Sequence, residues 1–251
     1  DREMGTIERG YGSEWHLLRF LGRHRHLLNK HVEEAIKMDE PKKEIKILDW
    51  LDFKFNDNKK VFCDSELEGL DFLDDKIFKN LKEEWKEFWP QTGTQMNWDA
   101  VGIAEVDKKR EIILVEAKSH VGELGSIQSK CGAKEKGGLP QIKKAINKTI
   151  EYYKGILSPN TDIEENWLDI YYQFANRLCT LYFLNKHTIP TRLVYIYFIG
   201  DHGKGLKKGD YCPKFKNGEN GWDEKIKEMY KNLGFSSSPD RVHKVFLPIR
   251  E

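Results

Sequence analysis

Two β-rich runs on either side of a short charged patch constrain this chain more than any other stretch. The first is Trp98-Asp99-Ala100-Val101-Gly102-Ile103-Ala104-Glu105-Val106, and the patch is Asp107-Lys108-Lys109-Arg110. The second is Glu111 to His120, in which the apolar run Ile112-Ile113-Leu114-Val115 leads into Glu116-Ala117-Lys118. Runs of this kind around a polar turn predict a β-hairpin. With the turn centred on Lys108-Lys109, Asp99 lies opposite Lys118 and Val101 opposite Glu116. Side chains alternate faces along a strand and paired residues share a face. Asp99, Glu116 and Lys118 are therefore expected to converge on one face at the open end of the hairpin.

Two carboxylates held close together repel unless a cation lies between them. Mg²⁺ suits that place, because it takes one or two carboxylates and keeps waters for phosphate oxygens; Mn²⁺ can substitute. A lysine beside such an ion can steady a phosphate charge or orient the attacking water. The competing explanation is a strand-end salt bridge. Glu-x-Lys also occurs at Glu44-Ile45-Lys46 and Glu84-Trp85-Lys86, but only the copy at Glu116 follows an apolar run and has a paired strand that supplies Asp99.

At these residues the chain resembles the PD-(D/E)xK phosphodiesterase superfamily, with its restriction-endonuclease-like fold. Asp99 matches the first acid of the pattern, Glu116 the second and Lys118 the lysine, while Trp98 stands where proline is usual. The resemblance implies an α/β fold with an αβββαβ core, a mixed central sheet flanked by helices and a C-terminal extension, in a single domain over residues 1–251. It implies a Mg²⁺-dependent phosphodiesterase, foremost a DNA endonuclease. Asp99, Glu116 and the backbone carbonyl of Ala117 would hold the ion, and Lys118 would position or activate the water. Members often add an acid from a helix before the sheet, for which Glu14 is the candidate. They also often add a polar residue from the helix after the lysine strand. Gln173 is the candidate there, with Asn176 and Arg177 behind it.

Elsewhere the pattern is coarser. Ser13 is a plausible N-cap for one helix running to about Met38, with Leu17, Leu18, Leu21, Leu28, Val32 and Ile36 at helical spacing. The dipole of that helix gives Glu14 a purely local reason to sit in its first turn. Ile45 to Phe55 reads as one strand, with Val61 to Cys63 as its short partner. Asp74 or Asp75 caps a helix that ends at Pro90. Val121 to Leu139 contains five glycines and reads as a loop, and Pro140 starts a helix to about Tyr153. From Lys130 to Lys148 there are six lysines and one acid, Glu135. Lys130, Lys134, Lys136, Lys143 and Lys144 are thus candidates for a phosphate backbone; the alternative is a solvated helix face. Asn166 to His187 reads as one nearly all-apolar helix bearing a polar stripe of Asp169, Gln173, Asn176 and Thr180. Buried unpaired polar groups are costly, so the stripe faces either water or a site. Arg192 to Ile199 is apolar on both faces and reads as a central strand. Asp201-His202 follows it, as a weaker acid/base or metal candidate. A helix over Trp222 to Leu233 and a strand over Val242 to Leu247 complete the chain.

At 251 residues, with seven Trp, the chain can bury a substantial core. Its net charge of +1 does not by itself point to nucleic acid, but residues 1–100 hold 17 Lys/Arg against 22 Asp/Glu and the remainder 25 against 19. The four cysteines, Cys63, Cys131, Cys179 and Cys212, form no Cys-x-x-Cys pair, which argues against a zinc ribbon and for a reducing cytoplasm. No early run suits a signal peptide and none reaches the length of a membrane span. The resemblance makes nucleic acid the expected partner, DNA before RNA; no membrane is expected, and a homodimer is one candidate assembly. The alternatives are a non-catalytic nucleic-acid-binding or assembly protein that keeps the fold, and a structural domain whose ion pair only stabilises the sheet.

Overall fold

The computed structural model describes residues 12–51, 54–56, 63–65, 67–93, 96–159, 162–200 and 222–249. Helices α1 (Ser13–Arg23) and α2 (Arg25–Asp39) precede strands β1 (Ile45–Trp50), β2 (Lys54–Asn56), β3 (Cys63–Ser65) and β4 (Leu67–Glu68). Then come α3 (Lys79–Phe88), β5 (Asn97–Trp98), β6 (Ala100–Val106) and β7 (Lys109–Lys118). Helices α4 (Leu139–Tyr153), α5 (Ile163–Leu168) and α6 (Tyr172–Lys186) lead to β8 (Thr191–Ile199), α7 (Asp223–Asn232) and β9 (Val242–Pro248). The fold is mixed α/β. Its main sheet has five strands in the order β1-β6-β7-β8-β9, antiparallel from β1 to β7 and parallel from β7 to β9. Among the described residues no helix is long and apolar enough to cross a membrane.

The hairpin forms, but its tip lies one residue earlier than the sequence suggests. Val106 pairs with Lys109 and Ala100 with Val115, so the two-residue turn is Asp107-Lys108. Both have positive φ, 48° and 66°, as the turn favoured by twisted strands requires. Asp tolerates this conformation better than Lys, and the Asp107 carboxylate is held there by Lys43 Nζ at 2.6 Å and Glu44 N–H at 3.1 Å. The ladder therefore slips by two residues. An even slip preserves which face each side chain takes, so Asp99 and Lys118 are not opposite each other but still share a face with Glu116.

The sheet carries a core on each face. Val101, Leu114, Leu193 and Tyr195 pack with α3 to α7 through residues such as Trp85, Ile146, Trp167, Phe174 and Trp222. Ala100, Ile113, Val115, Ala117 and Phe198 pack with Leu17 and Phe20 of α1 and Leu28, Val32 and Ile36 of α2. Every residue of β8 is buried, as expected of a strand covered on both sides. Gly102 is required in β6 because a Cβ there would meet the Trp50 ring at 2.9 Å. At the sheet end away from the hairpin's open end, Arg192 Nε bonds Glu111 Oε2 at 2.6 Å, and Arg192 also bonds Glu40 and faces His243 Nε2 at 3.0 Å. His243 Nδ1 in turn lies 2.6 Å from Asp39.

Three expected elements divide. The first helix breaks at His24, whose φ/ψ of −131°/34° is non-helical, and Gly12 rather than Ser13 is its N-cap. Ile45 to Phe55 is not one strand: β1 joins the main sheet and β2 pairs with β3 in a separate ribbon. Asn166 to His187 breaks between α5 and α6, so Asp169 leaves the stripe and pairs with Lys130 at 2.5 Å. Asp74 does not cap α3; its carboxylate accepts from the N–H groups of Lys76 and Ile77 in the turn before it. The lead-in before Gly12, the tip of the β2–β3 ribbon, Asp201-His202 and Cys212 lie outside the described residues.

Candidate active site

β7 and α6 build the site between them. Asp99 occupies the bend between β5 and β6; its N–H donates to the Val115 carbonyl at 3.2 Å and its Oδ2 accepts the Ala117 N–H at 2.6 Å. These bonds fix the Asp99 carboxylate against the strand that carries Glu116. Glu116 is 2 % exposed. Its Oε1 accepts from Lys118 Nζ at 2.6 Å and its Oε2 from Arg177 Nε at 2.9 Å. Lys118 Nζ also donates to Gln173 Oε1 at 2.8 Å. Arg177 donates further to Asn176 Oδ1 at 2.9 Å and to the Asn97 carbonyl at 2.8 Å, and its guanidinium lies 5.1 Å from the centre of the Trp98 ring. Trp98 is itself anchored by its indole N–H, 2.8 Å from the Gly69 carbonyl.

These groups border a cleft of about 940 Å³, lined by Asp99, Glu116, Gln173, Asn176 and Arg177, by Trp89, Pro90 and Met96, and by the segment from Gln128 to Lys134 with Gly137 and Gly138. That segment brings Lys130 and Lys134 to the cleft. The Cys131 N–H ties it down by donating to the Leu168 carbonyl at 2.9 Å, and just before it Gly125 lies so close to the Tyr171 ring that a Cβ would meet it at 2.4 Å.

The two carboxylates differ sharply in electrostatics. Burial pushes the Glu116 carboxyl up, but Arg177 and Lys118 outweigh it and hold Glu116 below its ordinary value. Asp99 is pushed up to about 7, first by burial and then by the negative charge of Glu116. Its folded pKa thus exceeds its unfolded value, so folding binds the proton more tightly and stability falls as pH rises from about 4 through 7. Asp99→Asn should remove that fall and make the protein more stable at pH 8 by roughly 2–4 kcal/mol, since a tenfold change in proton affinity corresponds to about 1.4 kcal/mol. Urea unfolding of both proteins at pH 5 and pH 8 checks this. An Asn variant no more stable than wild type at pH 8 would contradict it.

Of the residues singled out in the sequence, Asp99, Glu116, Lys118, Gln173, Asn176 and Arg177 come together. Glu14 does not. It is exposed on α1, which packs against the other face of the sheet, and it does not line the cleft. The buried face of α1 is His16, Leu17 and Phe20, while Leu18, the residue one turn from Glu14, is 39 % exposed. Lys143 and Lys144 also lie elsewhere, because α4 buries Ile142, Ala145, Ile146 and Thr149 and turns these lysines into a shallow groove with Asn147, Lys148, Tyr182 and Lys186. Lys136 is exposed and outside the cleft lining. Arg177, expected to face nucleic acid, is 5 % exposed and spends its donors within the protein. The sequence reading missed the Asn97 carbonyl. It also missed Glu123, which accepts from Ser119 Oγ at 2.8 Å and lies 3.0 Å from His120 Nε2, turning the chain just past Lys118. A Ser-x-x-x-Glu spacing was its only signal.

Among the described residues no three His, Cys, Asp or Glu side chains form a cluster able to hold a metal. A cation here would rely on Asp99, Glu116, main-chain oxygen and water. That donor set suits Mg²⁺ or Mn²⁺, and the uncompensated Asp99 carboxylate gives such an ion a physical reason to bind. No family profile, curated protein or solved structure matches the chain, so the site is known by its geometry alone.

Proposed function

We propose that the protein is a metal-dependent phosphodiesterase that cleaves nucleic acid, DNA before RNA, in the cleft floored by Asp99 and Glu116. The observation that carries this is that Asp99, Glu116 and Gln173 line a cleft together with Lys130 and Lys134, while Lys118 is buried behind them and bonded to both Glu116 and Gln173. On this reading α2, β1, β6, β7, the α4–α6 layer and β8 would be the αβββαβ core of the PD-(D/E)xK superfamily, and their order in the chain supports it. Trp98 in place of proline, and a site without a carboxylate from α1, are the departures. Asp99 and Glu116, with the Ala117 carbonyl, are the proposed ligands of Mg²⁺ or Mn²⁺. When bound, such an ion polarises the phosphate and lowers the pKa of a coordinated water. Lys118, held at one end by Gln173, orients that water or steadies the phosphate charge. Lys134, and Lys130 once it leaves its ion pair with Asp169, would neutralise backbone phosphates along one wall of the cleft.

A second reading has one observation in its favour. Both oxygens of Glu116 already have cationic partners, so the ion-pair network satisfies itself. A non-catalytic nucleic-acid-binding or assembly protein would need nothing more. Incubating plasmid, linear duplex and single-stranded DNA with Mg²⁺ or Mn²⁺, beside Lys118→Met, separates the two. Metal-dependent cleavage by wild type alone supports the nuclease, and binding without cleavage by either supports the alternative. Lys130→Gln and Lys134→Gln should each flatten the slope of log K against log salt by about 0.9 on duplex DNA. Slopes identical to wild type would remove the cleft from the binding surface.

A further inference from the structure

Two cations share Glu116, and they are held very differently. Arg177 presents a planar fork whose donors run in three directions, to Glu116 Oε2, to Asn176 Oδ1 and to the Asn97 carbonyl. Its face lies over the Trp98 ring. Moving it would strip several buried partners at once, a costly step in a low-dielectric interior. Lys118 carries its charge on a flexible four-carbon stem with rotatable donors. It has a second acceptor, Gln173 Oε1, to which it can stay bonded while releasing Glu116.

We infer that Arg177 is a positioning residue that permanently occupies one oxygen of Glu116, leaving Lys118 as the exchangeable partner that an incoming divalent cation displaces from the other. This rests on the cation site proposed above. It follows that Glu116 is a one-oxygen ligand, aimed by Arg177 through the strand that also leads to Asp99, because Asn97 and Trp98 both engage the guanidinium. It follows too that loading the site breaks the Lys118 bond to Glu116 and leaves the ammonium on Gln173. The resting ion pair and the working site are then two occupancies of the same oxygen.

The full-length chain tests this by Mn²⁺ calorimetry, with melting temperature and oligonucleotide binding measured alongside. Lys118→Met removes the competitor and should tighten Mn²⁺ binding about tenfold, or roughly 1.4 kcal/mol. Arg177→Lys keeps the charge but loses the fork and should weaken Mn²⁺ binding about tenfold while leaving metal-free oligonucleotide affinity unchanged. Tighter Mn²⁺ binding in Arg177→Lys would make the arginine the exchanging cation and overturn the inference. A lower melting temperature with unchanged Mn²⁺ affinity would reduce Arg177 to a structural pin, and a selective loss of oligonucleotide affinity would make it a substrate contact; either overturns it. If Arg177→Lys does not fold, Lys118→Met decides, and unchanged or weaker Mn²⁺ binding there overturns the exchange. Wild type that takes up no Mn²⁺ would instead overturn the cation site itself.

Discussion

Glu116→Ala is expected to destabilise the metal-free protein by roughly 3–5 kcal/mol, the range for breaking a buried ion pair by removing one partner. The Glu116 side chain is almost fully buried between Lys118 and Arg177, which are 6 % and 5 % exposed. Its removal leaves two cations in the interior with Gln173, Asn176 and one main-chain carbonyl as their remaining partners. The expectation for Asp99→Asn has the opposite sign, because Asp99 carries a charge that its surroundings disfavour. The sequence alone suggests that either carboxylate, once removed, would relieve the same repulsion. The structure separates them: Glu116 is the ion-paired acid and Asp99 the uncompensated one. Chemical denaturation of the two variants in chelator at pH 8 should give shifts of opposite direction. A loss below about 1 kcal/mol for Glu116→Ala would mean that the network contributes little.

On the proposed function, Lys118→Met should lower the single-turnover cleavage rate by about 10²–10⁴, the range for losing a positioned acid–base or charge-stabilising group. Methionine keeps most of the stem and removes the ammonium that bonds Glu116 and Gln173. Affinity for the oligonucleotide should change little, since the proposed function assigns phosphate neutralisation to Lys130 and Lys134. A rate within tenfold of wild type at saturating enzyme would remove Lys118 from the chemistry.

Much of the site was legible because it depends on parity and local pattern. Alternation along β6 and β7 placed Asp99, Glu116 and Lys118 on one face even though the turn was misplaced, since the true slip is even. The polar stripe on a mostly buried helix singled out Gln173 and Asn176, and both line the cleft. What failed depends on tertiary packing. The helix break after Leu168 contains neither proline nor glycine, so no local signal marks it, and the break at His24 has only Gly22, in the last turn of α1, as its signal. Glu14 sits at a plausible spacing, but the orientation of α1 on the sheet leaves Leu18 outside and Glu14 with it. The lysine run divides because the core stripe of α4 fixes which lysines can reach the cleft. The role of Arg177 is set by Glu116, 61 residues earlier, and by Asn97, 80 residues earlier. Likewise Arg192 and Glu111 are 81 residues apart, and no spacing rule connects them.

The central claim is that Asp99 and Glu116 together hold a divalent cation. Titrating Mn²⁺ into wild type and into Asp99→Ala by calorimetry tests it most directly, because among the described residues no cationic side chain is bonded to Asp99 and its removal leaves the Glu116 network standing. The prediction is saturable binding at one site per chain in wild type, lost or weakened at least tenfold in Asp99→Ala with the fold intact. Indistinguishable isotherms from the two proteins would contradict the claim.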